Sequence, residues 1–166
     1  MQKIQIKETE NLGVGVLVFT ENNKSKVKQY VDLKKRIILV VPIDGNDVYL
    51  LKEYRPLLDK IVWRLPAGTL KPKENPLKGA VRELREEAGL IPKKIALISH
   101  TEYMGWVKFP IYVYKANGVK KVKQKLDFYE RIELKKVSKK EAIRIALKEM
   151  VEPHHSFALL KCLLEN

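Results

Sequence analysis

Lys and Arg outnumber Asp and Glu by 33 to 20 over 166 residues, a formal net charge of +13. A hydrophobic fraction of 45% beside 32% charged residues excludes a disordered chain, and the length suits one domain with at most a small appendage. No apolar run approaches the roughly 18 residues that cross a bilayer. The N-terminus, with Lys3, Lys7, Glu8 and Glu10, lacks a signal-peptide core. The single cysteine, Cys162, leaves no internal disulfide and points to a reducing cytoplasm.

In chain order, Val14 to Thr20 and Val27 to Leu33 read as strands joined around Asn22-Asn23, a small hairpin ahead of the main domain. The expected division is an N-terminal β extension over 1–35 and a main domain over 36–166. Arg36 to Val41 and Asp47 to Tyr54 form a second hairpin around Asp44-Gly45-Asn46. A helix then opens on Asn75 as N-cap, with Pro76 at the first helical position, and Leu77, Ala80, Val81, Leu84 and Ala88 make its apolar stripe. Gly89 suits its left-handed end, and Pro92 keeps it from resuming. Ile95 to Glu102 and Ile111 to Lys115 read as strands, the second ending at Asn117-Gly118. After a basic loop come a strand at Arg131 to Lys136 and a capping box of Ser138 and Glu141. That box opens a helix with Ala142, Ile145, Ala146 and Met150 toward the core, and a last helix runs from about Ser156 to Leu164.

Glu83, Glu86 and Glu87 stand three and four residues apart on the first helix, so their carboxylates leave one face together. Like charges at that spacing weaken a helix by a few tenths of a kcal/mol per pair, which a hard cation would offset. Oxygen-only ligands favour Mg²⁺, Mn²⁺ or Ca²⁺ over zinc. Arg82 lies where it can hold a carboxylate in place; the alternative is a solvated, salt-bridged helix face.

Around those acids, Gly68, Glu74, Arg82, Glu83, Leu84, Glu86, Glu87, Gly89 and Leu90 occupy every fixed position of a known pattern, and the segment resembles the Nudix box. The resemblance implies an α+β fold, an α/β/α sandwich with a mixed sheet between helices. It also implies an enzyme, because the box is intact: a metal-dependent hydrolase of a nucleoside diphosphate linked to another group. Tyr54-Arg55-Pro56 and Leu65-Pro66-Ala67-Gly68 are similar to the upstream signature of the ADP-ribose and ADP-sugar pyrophosphatases, as is the extra N-terminal hairpin, which in that group helps form a homodimer. On that likeness Mg²⁺ or Mn²⁺ is the cofactor, held by Glu83, Glu86, Glu87 and the carbonyl of Ala67, and Arg55 contacts the diphosphate. AMP and a sugar phosphate are the implied products. For Arg55 the competing reading is an ion pair with Glu53 or Asp59.

Three positions depart from the group. Arg64 replaces its usual Glu and is either a phosphate contact or a surface residue. Tyr103-Met104-Gly105-Trp106 keeps a glycine and aromatic but loses the proline; Trp106 either stacks on a base or packs in the core. Alignment on Val137-Ser138 places Glu130 at a metal-binding acid and Phe128 where a basic acid is usual, leaving Glu130, Asp127 or a box glutamate as the general base. His154 and His155 read as the start of the last helix, with no acidic set to complete a zinc site. The excess charge favours anionic partners, but the lysines are spread along the chain and only Lys120, Lys121, Lys123 and Lys125 are dense. An RNA 5′-end or dinucleoside polyphosphate pyrophosphohydrolase and a nucleotide-sensing module without turnover are the alternative functions.

Overall fold

The computed structural model describes residues 1–22 and 24–165. Its strands are β1 (Gln2–Glu8), β2 (Leu12–Glu21), β3 (Lys24–Leu33), β4 (Ile37–Asp44), β5 (Asp47–Arg55), β6 (Lys60–Arg64), β7 (Ala67–Thr69), β8 (Leu90–Met104), β9 (Val107–Lys121) and β10 (Ile132–Ser138). The helices are α1 (Pro76–Ala88), α2 (Lys139–Lys148) and α3 (Pro153–Leu164).

One mixed sheet runs in the order β1-β2-β3-β9-β4-β5-β10, with β8 on β9, β6 on β5 and β7 on β4. β4 lies parallel to β9, while β5 pairs antiparallel with both β6 and β10. The central strands are apolar on both sides, as strands covered on two faces must be. Ile38 and Val40 of β4 meet Ala80, Leu84 and Ala88 of α1 on one face. Leu39, Val41 and Ile43 meet Ala142, Ile145 and Ala146 of α2 and Ala158, Leu159 and Cys162 of α3 on the other. The result is the expected α/β/α sandwich. Cys162 belongs to that core, where burial pushes its thiol up to about 11, so it is a packing residue.

The first helix forms as its local signals dictate. The Asn75 side chain accepts from the amides of Leu77 and Lys78, and Gly89 ends the helix at φ 60°. Leu77 stays 43% exposed, so the buried stripe is narrower than expected, while Glu83 and Glu87 are buried in its stead.

Four expectations need correction. The N-terminal extension is three-stranded: β1 pairs with β2, yet its residues are all exposed and give no burial alternation to read. It also joins the main sheet, through Val31 and Asp32 of β3 against Val107 and Lys108 of β9. Asn117-Gly118 is no turn, because β9 continues to Lys121 and Asn117 faces Lys94 of β8; tertiary pairing overrides the local signal. The chain reverses instead at Gly105-Trp106, between β8 and β9. α3 starts at Pro153, three residues before Ser156, with Pro at the first helical position. Of the turn expected at Asn22-Asn23, Asn23 lies outside the described residues.

Candidate active site

Strand β7 and helix α1 build the floor of a cavity of about 710 Å³. Glu83, Glu86 and Glu87 all line it, with Ala67 and Gly68 beside them. The Ala67 amide donates to Glu87 Oε2 at 2.7 Å, fixing that carboxylate against the strand. Arg82 is the organiser. Its Nε and one terminal nitrogen grip both oxygens of Glu74 at 2.8 Å, and its other nitrogen donates to Glu83 at 2.7 Å and Glu86 at 3.1 Å. That bond from Arg82 holds Glu74 down at about 2. With its donors committed to Glu74, Glu83, Glu86 and the Thr69 carbonyl, Arg82 positions the acids rather than meeting substrate.

Burial raises the carboxyls of Glu83 and Glu87. Glu87 is pushed up to about 8, chiefly by desolvation, although the Ala67 amide and the Arg64 charge pull it down. Desolvation raises Glu83 as well, against the pull of Arg82. Acids forced out of their ordinary range by burial and mutual proximity form a donor set that fits a divalent, oxygen-seeking cation.

Gly68 makes this packing possible. A Cβ there would lie 2.1 Å from the Glu83 carboxyl, so any side chain must push that carboxylate out of the cluster. Gly68→Ala is expected to leave folding nearly intact and to cost about 10²-fold in turnover, the usual consequence of a 1 Å displacement at a reacting site. Rate measurement beside a melting curve checks this, and a normal rate in Gly68→Ala would show that Glu83 need not stay in place.

The same cavity is also lined by an ionic cluster of which the sequence offered only the Arg55–Glu53 pair, as the competing reading for Arg55. Arg64 is buried, donating from Nε to Glu152 at 2.7 Å and from a terminal nitrogen to Glu53. Burial pulls its guanidinium down, but Glu53 and Glu152 outweigh that and keep it charged. Arg64 is therefore no surface residue; it lines the cavity, with Nε and one terminal nitrogen already committed to Glu152 and Glu53. Arg55 reaches Glu53 at 3.2 Å and Glu152 at 3.8 Å, while Asp59 instead accepts from the Tyr54 hydroxyl. Glu53 was legible in principle: it faces Val62 and Arg64 faces Leu51, so acid and base are diagonal neighbours on one sheet face. Glu152 and His155 carried no such local signal.

Glu152, His154 and His155 bring three ligand-type atoms within 4.8 Å of one another, so the histidines do have an acidic neighbour. They still make a poor metal site. The Leu65 amide donates to His155 Nδ1 at 3.0 Å, which leaves the neutral ring's proton on Nε2, and Arg64 stands 3.3 Å from that nitrogen. Burial lowers His155 well below its ordinary value, so the ring is neutral and holds Leu65 in place.

On the opposite wall, Asp127, Tyr129 and Glu130 line the cavity. The Asp127 amide donates to Glu130 Oε2 at 2.8 Å, and Tyr129 donates its hydroxyl to Asp127. Phe128 is fully exposed. Trp106 does not line this cavity; it sits 51% exposed in the β8–β9 turn, its carbonyl accepting from the Val31 amide.

Helix-borne carboxylates, a backbone amide and an arginine clamp on an α/β/α sandwich make a donor set that fits a divalent cation. The NUDIX domain model matches residues 33–156, and the chain belongs to the Nudix family. It is a hydrolase of the pyrophosphohydrolase type. Over 128 residues it is 27% identical to the ADP-ribose pyrophosphatase of Bacillus subtilis, covering 75% of this chain and 69% of that one. A shorter match, 46% over 48 residues, joins it to an RNA pyrophosphohydrolase of Zymomonas mobilis, covering 29% of this chain and 31% of that one. In fold it is similar to an ADP compounds hydrolase, with a TM-score of 0.79 at 16% identity, covering 98% of this chain and 90% of that one.

Proposed function

We propose that this chain hydrolyses the diphosphate bond of ADP-ribose or an ADP-sugar, releasing AMP and a sugar phosphate. In this reading Glu83, Glu86, Glu87 and the Ala67 carbonyl hold Mg²⁺ or Mn²⁺. The observation that supports it most is the convergence of three box carboxylates on one cavity, with Glu87 raised to about 8 by burial. A divalent cation held by these residues would neutralise charge developing on the diphosphate and would acidify a water beside it. Arg55, over the same cavity, orients the diphosphate through donors that its long contacts to Glu53 and Glu152 leave free. Glu130 takes the proton of the attacking water: its Oε2 is occupied by the Asp127 amide, so Oε1 remains to accept. Asp127 is the other acid on that wall.

The RNA reading loses support from the placement of its lysines. Lys120 and Lys121 end strand β9, with Lys121 over the Tyr49 ring, while Lys123 and Lys125 face α1. A turnover screen of ADP-ribose, ADP-sugars, dinucleotides, nucleoside triphosphates and 5′-triphosphorylated RNA, with Mg²⁺ and with Mn²⁺, tests the assignment. ADP-ribose or an ADP-sugar should give the highest kcat/KM; a preference for RNA, or binding without turnover, would contradict it. A homodimer through the N-terminal strands also belongs to this proposal, supported by Ile4, Ile6 and Val27, which are 41%, 64% and 57% exposed there. Light scattering should return twice the 19.3 kDa chain mass.

Cation binding should be visible in the proton balance. With Glu87 at about 8, the metal-free site holds a proton at neutral pH that a cation must displace. About one proton per site should leave on Mg²⁺ binding at pH 7, falling toward none above about pH 9. Mg²⁺ affinity should rise with pH up to about 8 and then level. Calorimetry in buffers of differing ionisation enthalpy measures this, and binding without proton release at pH 7 would count against Glu87 as a ligand.

A further inference from the structure

The flank of α1 beside the acidic cavity carries the opposite charge. Lys78, Val81, Arg82 and Arg85 follow at three- and four-residue spacing, so their side chains stack along one face. Opposite them, Lys123, Gln124 and Lys125 close a groove of about 650 Å³. This groove and the acidic cavity share Arg82, Glu86 and Lys125 and are therefore continuous. Arg82 is committed to Glu74, Glu83 and Glu86, so the groove's one carboxylate, Glu86, is already engaged. Among the described residues, Lys78, Arg85, Lys123 and Lys125 take part in no salt bridge within 4.0 Å.

The lysine-bearing segment is pinned to the helix that carries the acids. The Val122 amide donates to the Gly89 carbonyl at 2.7 Å, the Lys125 amide to that of Glu86 at 2.9 Å, and the Gln124 side chain to that of Glu87 at 2.5 Å. Gly89 admits this approach, since a Cβ there would lie 2.6 Å from the Val122 carbonyl. Cations near a helix C-terminus are favoured by the macrodipole, which accounts for a lysine beside the last turn. It does not account for Lys78 in the first turn, where the dipole has the wrong sign, nor for four unpaired cations gathered on one groove.

The lining also indicates what kind of anion fits. Single-stranded nucleic acid is held by aromatic platforms, and bases are read by free carboxamides. This groove contains no aromatic ring, and the Gln124 amide is spent on Glu87. It reads charge alone.

We propose that the groove is an accessory phosphate site, holding a phosphomonoester that the substrate carries in addition to the diphosphate cut next door. The favoured substrate class is then a phosphorylated nucleoside diphosphate derivative rather than the unphosphorylated one. This rests on the reading of the acidic cavity given above.

The test compares ADP-ribose with ADP-ribose 2′-phosphate and ADP-ribose 5″-phosphate, which extend the charge at either end. Binding of each to the full chain is measured in EDTA, beside a 5′-phosphorylated oligoribonucleotide, and kcat/KM is measured with Mg²⁺. One of the two phosphorylated ligands should bind about tenfold more tightly than ADP-ribose, the worth of one charge-assisted contact, and the advantage should shrink with salt. In Lys78→Gln/Arg85→Gln, and separately in Lys123→Gln, that ratio should fall toward one. A ratio near one in the wild type, an unchanged ratio in the variants, or no detectable binding of either phosphorylated ligand overturns the site. A larger substitution-sensitive gain for the oligoribonucleotide overturns the compact class. Failure to cleave ADP-ribose and both phosphorylated ligands, with the binding ratio intact, would sink the reading of the acidic cavity alone; cleavage without any preference would sink the groove alone.

Discussion

Glu87→Gln is expected to abolish turnover and, in the same molecule, to stabilise the metal-free protein. Gln retains an oxygen that can accept the Ala67 amide, so packing is kept while the charge is lost. The folded-state value of about 8 lies above the ordinary 4.5, so between those values the folded protein holds a proton the unfolded chain has released. Stability of the metal-free wild type therefore falls as pH rises from about 4.5 to about 8, and the full penalty stands above that. Gln carries no such penalty. The variant should lose less stability across this window, where the raised Glu83 still contributes, and above pH 8 it should be more stable by on the order of 5 kcal/mol. With saturating Mg²⁺ the order reverses, because the wild type, with all its ligands, gains more from binding the cation. Turnover should fall about 10³-fold or more, as when a preorganised charge at a reacting centre is removed. Melting curves across pH with and without Mg²⁺ check both halves; wild-type turnover in the variant would remove Glu87 from the mechanism.

The second large effect belongs to Arg64. Arg64→Ala strands Glu53 and Glu152 without their shared cation in a largely buried place. Breaking a buried pair from one side costs about 3–5 kcal/mol, or roughly 10 °C in Tm for a chain of this size. Arg64→Lys should recover only part of this, since one ammonium cannot reproduce a fork that meets two acids from different nitrogens. Arg64→Met with Glu53→Gln and Glu152→Gln together should recover more, because no uncompensated charge is then left behind. The loss should also reach the acidic cavity. Arg64 lowers Glu87, so without it Glu87 moves further up and Mg²⁺ affinity weakens at neutral pH. An unchanged Tm in Arg64→Ala would show that these charges are solvated and that the buried cluster has no energetic weight.

Which parts of this molecule could be read from its sequence follows from the range of the forces that shape each part. Helix α1 was legible because Asn75, Pro76 and Gly89 act within a few residues, and its three acids share a face by helical periodicity alone. Fold class followed from the resemblance carried by that helix. The ends of β8 and β9 were not legible, since their residues become strand only against each other, through a turn signal at Asn117-Gly118 that pairing overrides. β1 was missed because a fully exposed strand offers no buried alternation. Arg64 could be singled out but not placed: its partner Glu152 lies 88 residues on, and His155, which holds the Leu65 amide, lies 90 residues beyond that leucine. Trp106 failed as a cavity residue for the converse reason, since a glycine followed by an aromatic also makes a plain hairpin turn.

The most direct test is a phosphorus NMR assay of ADP-ribose with the purified chain and saturating Mg²⁺. AMP and ribose 5-phosphate should appear together in equal amounts, and EDTA or Glu86→Gln should stop both. Intact ADP-ribose in both Mg²⁺ and Mn²⁺, or cleavage that survives EDTA, would contradict the assignment of these carboxylates to metal-dependent diphosphate hydrolysis.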